Sequence, residues 1–113
     1  MLILQKDNNN KGLFASQNYK KNEKLHKLYG IIYDKPSRTT IEISENKHID
    51  DDFGIYMNHS FSPNCKIENS YIVALHDINE KDELTFNYNE NETYMACPFI
   101  DFETKKQVKG KQE

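Results

Sequence analysis

The chain has 113 residues, enough for one small domain with one core. Fifteen Lys and Arg against eighteen Asp and Glu leave a net charge of −3, which argues against a nucleic-acid binder, whose footprint is a basic face. Seven Tyr and six Phe make it too aromatic for a disordered chain, and no apolar run approaches the roughly 18–20 residues of a membrane span.

In chain order, Leu2 to Leu4 reads as a first short strand; the opening Met1 to Lys6 is too short for the apolar region of a signal peptide. Gly12 to Ala15 follows the turn-rich Asp7 to Asn10 as a second strand. Leu25 to Tyr33 is apolar and aromatic, interrupted by Gly30. Ile41 to Ile43 alternates, and Ser44-Glu45-Asn46 turns it into Lys47 to Ile49. Asp52 to Asn58 suits one short helical turn. Cys65 to Ile67, the turn Glu68-Asn69-Ser70 and Tyr71 to Leu75 form a hairpin pattern, and Leu84 to Tyr88 is the last strand. No window of a dozen residues has helical periodicity. The pattern predicts a mainly-β domain with little helix over residues 1–100. A charged tail over 101–113, with Val108 as the one apolar residue beyond Lys105, is expected to fray. Cys65 and Cys97 are too few for a disulfide scaffold and form no C-x-x-C pair, so neither a structural zinc site nor any other metal is expected. An intracellular, reducing setting suits them.

Three segments carry chemistry. Asn58-His59-Ser60-Phe61-Ser62-Pro63-Asn64 is polar and lies between two apolar stretches, so it should be partly buried and hydrogen-bonded. It resembles the N-H-S-C-x-P-N signature of SET-domain lysine methyltransferases, with Phe61 in place of the Cys. Ala74 to Tyr88 resembles the family's A-x-x-D-I-x-x-G-E-E-L-T-F-D-Y, with Lys81 for the Gly and Asn87 for the last Asp. Asn10-Lys11-Gly12-Leu13-Phe14-Ala15 resembles G-x-G-hydrophobic-F-A. Gly30 and the Ile49-Asp50 approach to Gly54 also fit, and all of these follow the family's order over about residues 8 to 100.

The resemblance implies a SET-domain β-clip, several small sheets with a C-terminal pseudo-knot that brings the Asn58 segment beside Tyr88. It implies S-adenosyl-L-methionine as cofactor, held by Lys11, Gly12, Leu13 and Phe14 on one wall and by Asn58 and His59 on the other. Tyr88 would be the catalytic tyrosine. Phe86, Tyr88 and Tyr94 would line the channel for the substrate lysine, with Phe99 as another aromatic that could close it.

Those residue types suit the chemistry. A free lysine has a pKa near 10.4, so supplying the neutral amine at pH 7 costs roughly 4–5 kcal/mol. Desolvation and a nearby cation lower that cost, and aromatic walls exclude water while tolerating positive charge. A mildly acidic domain matches a lysine-containing, basic protein substrate such as a histone. Only some 25 residues separate Gly30 from the Asn58 motif, leaving little surface to grip a long peptide. Either recognition is loose or a second copy in a homo-oligomer completes the groove. A non-catalytic module that binds a basic peptide or the cofactor is the other reading of the same motifs.

Overall fold

A computed structural model describes the chain except residues 1, 8, 9, 38, 39, 53, 94, 97, 102, 103, 112 and 113, and describes the backbone alone of residues 2–7, 10, 11 and 55. Among the described residues twelve short strands follow one another: β1 (Leu2–Asp7), β2 (Asn10–Ala15), β3 (Lys24–Lys27), β4 (Gly30–Tyr33), β5 (Ile41–Ser44), β6 (Lys47–Asp51), β7 (Asn58–His59), β8 (Cys65–Glu68), β9 (Tyr71–Ala74), β10 (Thr85–Phe86), β11 (Phe99–Ile100) and β12 (Gln107–Val108). A 3-10 turn spans Gly54–Tyr56 and a one-turn helix, α1, spans Tyr88–Asn91. None of the described helices is long and apolar enough to cross a membrane.

Among the described residues the strands make five small sheets. β1 pairs with β2, β3-β9-β8 and β4-β6-β5 form triplets, β11 pairs with β12, and β7 pairs with β10. Every pairing is antiparallel except β7 with β10, which is parallel. Turn chemistry sets the hairpins. Asn69 and Ser70 both take positive φ, 51° and 69°, between Glu68 and Tyr71, the two-residue turn whose twist matches paired strands. Asn46 takes φ 58° between β5 and β6. Asn suits that position because its short polar side chain eases the left-handed conformation.

The apolar stretch from Leu25 to Tyr33 divides between two sheets, with Gly30 as the first residue of β4. A Cβ at Gly30 would lie 2.0 Å from the Asp50 carbonyl oxygen, so the β4–β6 approach requires glycine. Strand β4 is an edge strand, and Ile31, Ile32 and Tyr33 on it are exposed. The core gathers Leu13, Met57, Ile72, Ile78, Leu84 and Phe86 from both halves of the chain, which makes residues 12–88 one packing unit.

Two expectations are corrected. The last strand ends at Phe86, because Asn87 caps α1: its side-chain oxygen accepts from the Asn89 N–H at 2.9 Å. Tyr88 therefore begins a helix instead of ending a strand. The tail does not fray over its described part. Val108 is fully buried in β12, and the N–H groups of Lys109 and Gly110 both donate to Asn89 Oδ1 at 2.9 Å. A single apolar residue suffices because backbone hydrogen bonds hold the segment on either side of it.

Candidate active site

The site begins at Asp51, at the end of β6. Its carboxylate accepts from the N–H groups of Tyr29 at 2.8 Å and Gly54 at 2.7 Å, and lies 3.1 Å from His26 Nε2. Burial alone would raise its pKa, but the two N–H groups and His26 outweigh burial and hold it below the usual carboxylate value. This ionised cap fixes the Gly54–Tyr56 turn, and the turn delivers Met57 and then β7.

β7 lies parallel to β10, with Asn58 opposite Thr85 and His59 opposite Phe86. Asn64 locks the crossing. Its Oδ1 accepts from the Thr85 N–H at 2.9 Å and its Nδ2 donates to the Glu83 carbonyl at 2.8 Å, so one side chain stands in for a strand edge. Ser60 N–H donates to the Phe86 carbonyl at 3.1 Å. Phe61 packs its ring edge against His59 at a centroid distance of 4.4 Å.

Beyond the crossing, Tyr88 turns back onto β7. Its hydroxyl donates to the Met57 carbonyl at 2.6 Å and its N–H donates to His59 Nδ1 at 3.0 Å. Burial, with the charges of Glu92 and Glu83, pushes the hydroxyl pKa well above its ordinary value, so the group stays protonated. Burial pushes the His59 pKa down, opposed by Asp101. A neutral His59 that accepts at Nδ1 carries its proton on Nε2. That N–H is buried and has no acceptor among the described residues.

A cavity of about 470 Å³ opens beside Tyr88, lined in part by Ile41, Met57, Phe86, Glu92 and Phe99. The Phe86 ring lies 4.8 Å from that of Tyr88, and the Phe99 ring 6.2 Å. Phe86 and Tyr88 thus meet although they do not share a strand. Tyr94 lies outside the described residues. Gly12, Leu13, Phe14, Asn58 and His59 do not line this cavity, and of these His59 touches a lining residue, its Nδ1 accepting from the Tyr88 N–H.

The other candidate residues gather around Glu83, which pairs with Phe14 in an isolated bridge. Asn58 Nδ2 donates to Glu83 Oε2 at 2.6 Å, and a Cβ on the buried Gly12 would lie 2.9 Å from the same oxygen. Lys11 contributes backbone in β2, and Phe14 is half-buried. Leu13 is fully buried and its carbonyl already accepts from the Leu84 N–H at 2.7 Å. An amide, a carboxylate and a glycine backbone at one place suit the ammonium and carboxylate of an amino-acid terminus. Sequence reasoning gave no role to Glu83, Glu92 or the Met57 carbonyl. Glu83 lies inside a motif, so its position was visible; the other two depend on long-range packing.

The described residues thus make a small β domain in which a tyrosine hydroxyl is held beside the parallel pair β7–β10 and an aromatic-walled cavity. The chain belongs to the SET domain family, which matches it over residues 10–89. That family is of the methyltransferase type. No curated protein matches the chain.

Proposed function

We propose that the protein is an S-adenosyl-L-methionine-dependent protein-lysine N-methyltransferase. The observation that carries this reading is the hydrogen bond from the Tyr88 hydroxyl to the Met57 carbonyl at the β7–β10 crossing, beside the cavity walled by Phe86 and Phe99.

We assign the cofactor's amino-acid end to the Gly12, Asn58 and Glu83 cluster on the chemistry of these groups, and the buried His59 N–H, which has no acceptor among the described residues, is a further donor. When bound, S-adenosylmethionine supplies a methyl group activated by an adjacent sulfonium. The residues of the chain do the rest. The Tyr88 hydroxyl donates its hydrogen bond to the Met57 carbonyl, so its oxygen lone pairs are left to accept from an amine N–H and aim the nitrogen. Phe86 and Tyr88 present ring faces that tolerate positive charge on the amine, with the 41% exposed Phe99 on the same cavity wall. Because the hydroxyl stays protonated, tyrosine acts here as a positioning acceptor and not as a base.

The net charge of −3 favours a basic protein substrate, such as a histone, in an intracellular setting. The decisive experiment incubates the protein with labelled S-adenosylmethionine and a panel of lysine-rich proteins. Incorporation into lysine that needs Tyr88 supports the reading; no incorporation with the cofactor bound leaves a binding module.

Phe86 adds no hydroxyl to the channel, which leaves room for an amine that already carries methyl groups. Wild-type product is expected to reach the di- or trimethyl state, and Phe86→Tyr is expected to shift it toward monomethyl-lysine. Mass spectrometry of the acceptor decides, and a dominant monomethyl product from the wild-type protein counts against this role.

A further inference from the structure

The cavity contains an acid that the mechanism above does not use. Glu92 ends α1 and is 5% exposed, yet it lines the same cavity as Tyr88, Phe86 and Met57. It is held from several sides. Its N–H donates to the Tyr88 carbonyl at 2.9 Å, and its own carbonyl accepts from the Lys111 N–H at 2.7 Å. One carboxylate oxygen, Oε2, accepts from the Glu42 N–H at 3.0 Å and from Asn91 Nδ2 at 2.5 Å. The other, Oε1, has no donor among the described residues. A nearly buried carboxyl with one oxygen committed and one free, on the wall of a cavity that opens beside an aromatic cluster, is an arrangement that folding alone does not favour.

We propose that Glu92 is the proton acceptor for the substrate lysine, taking a proton from the incoming ammonium within the cavity. This inference rests on the methyltransferase reading and deepens it. The step balances simply. One Nζ–H bond of the ammonium breaks, an O–H bond forms on Glu92 Oε1, and an ion pair becomes a neutral acid beside a neutral amine. Because Glu92 is nearly buried, the two neutral partners are favoured there over two charges. The proton then passes to solvent through the open side of the cavity.

The surroundings tune the acid for this task. Burial raises its pKa first and most; the Glu42 N–H and Asn91 oppose that, the Glu42 charge adds to it, and Lys111 opposes it, leaving a value of about 7. An acceptor poised near the working pH is the most effective kind. The groups that face it are Glu42 on β5, with His48 opposite Glu42 on β6, Tyr88 on α1 and Lys111 on the tail. The Glu42 carboxylate is itself occupied by the N–H and hydroxyl of Thr93, both at 2.7 Å, which leaves Glu92 as the acid available to a ligand.

The test compares wild type, Glu92→Gln and Glu92→Asp in transfer of labelled methyl from S-adenosylmethionine to core histones, between pH 6 and 9. Wild-type kcat/KM is expected to rise with pH through a limb near pH 7. Glu92→Gln is expected to lose that limb and about 100-fold or more of kcat/KM at pH 8, with cofactor affinity unchanged, and Glu92→Asp to recover part of it. A folded Glu92→Gln with wild-type kcat/KM, or with the limb intact, overturns the proposal. Should that variant unfold, a flat wild-type profile between pH 6 and 8 overturns it equally. A wild-type protein that transfers no methyl to any lysine overturns the parent reading instead, and is recognised by the failure of all three proteins alike.

Discussion

Tyr88→Phe is expected to lower kcat for methyl transfer at least 100-fold while cofactor affinity stays within about twofold of wild type. The substitution keeps the ring, and with it the contacts to Phe86, His59 and Phe99. It removes the hydroxyl oxygen that would accept from the amine, and it leaves the Met57 carbonyl without this donor. The stability cost of that lost hydrogen bond is about 1–2 kcal/mol, too little to unfold the domain. Single-turnover transfer, cofactor titration and thermal melting on the same preparation separate the effects. Equal transfer by variant and wild type would remove Tyr88 from the mechanism.

Asp51→Ala is expected to destabilise the domain by about 3–5 kcal/mol, because two backbone N–H groups and His26 lose one buried anion together. Small domains have some 5–15 kcal/mol in total, so a large part of the stability goes with it. Denaturant unfolding measures the loss; a change under 1 kcal/mol would mean that the Gly54–Tyr56 turn holds without its cap. The sign with pH follows from the lowered pKa. The Asp51 contribution is fully present above the unfolded value near 3.8 and disappears as pH falls through the lower folded value. Glu92 acts in the opposite direction. Its pKa rises from 4.5 unfolded to about 7 folded, so the folded state binds more protons between those values. Stability therefore falls across that interval, by up to about 3 kcal/mol. Glu92→Gln should consequently raise the melting temperature at pH 8 and change it little near pH 4.5.

Much of this was legible before any coordinates. The turns at Asn46 and Asn69-Ser70 announced their hairpins, since the residues that tolerate positive φ stand between alternating strands. The meeting of Asn58 with Tyr88 was legible only through resemblance, because a parallel pair of two-residue strands carries no periodic signal. Asn87 was the overlooked sign that the last strand would stop: an Asn inside an apparent strand is better placed as a helix cap. Glu92 was not legible at all. Its burial is made by Glu42, fifty positions earlier, and by Lys111 in a tail that composition reads as solvated. The cluster around Glu83 likewise depends on β2 lying against the segment before β10, a contact across most of the chain.

The parallel crossing also fixes when the site can exist. The hairpins β5–β6 and β8–β9 close over two-residue turns, so their loop entropy is small and they can form on the microsecond scale. The crossing joins residues 27 positions apart, and Glu42 meets Glu92 and Thr93 at separations of 50 and 51. Such long-range contacts are gained only after the local ones have shortened the chain between them. The hairpins are therefore expected to form ahead of the contacts around Tyr88 and its cavity. In refolding, the local hairpin contacts are expected to form no later than those around the half-buried Tyr88, which a φ-value comparison of the β8–β9 turn with Tyr88 would read.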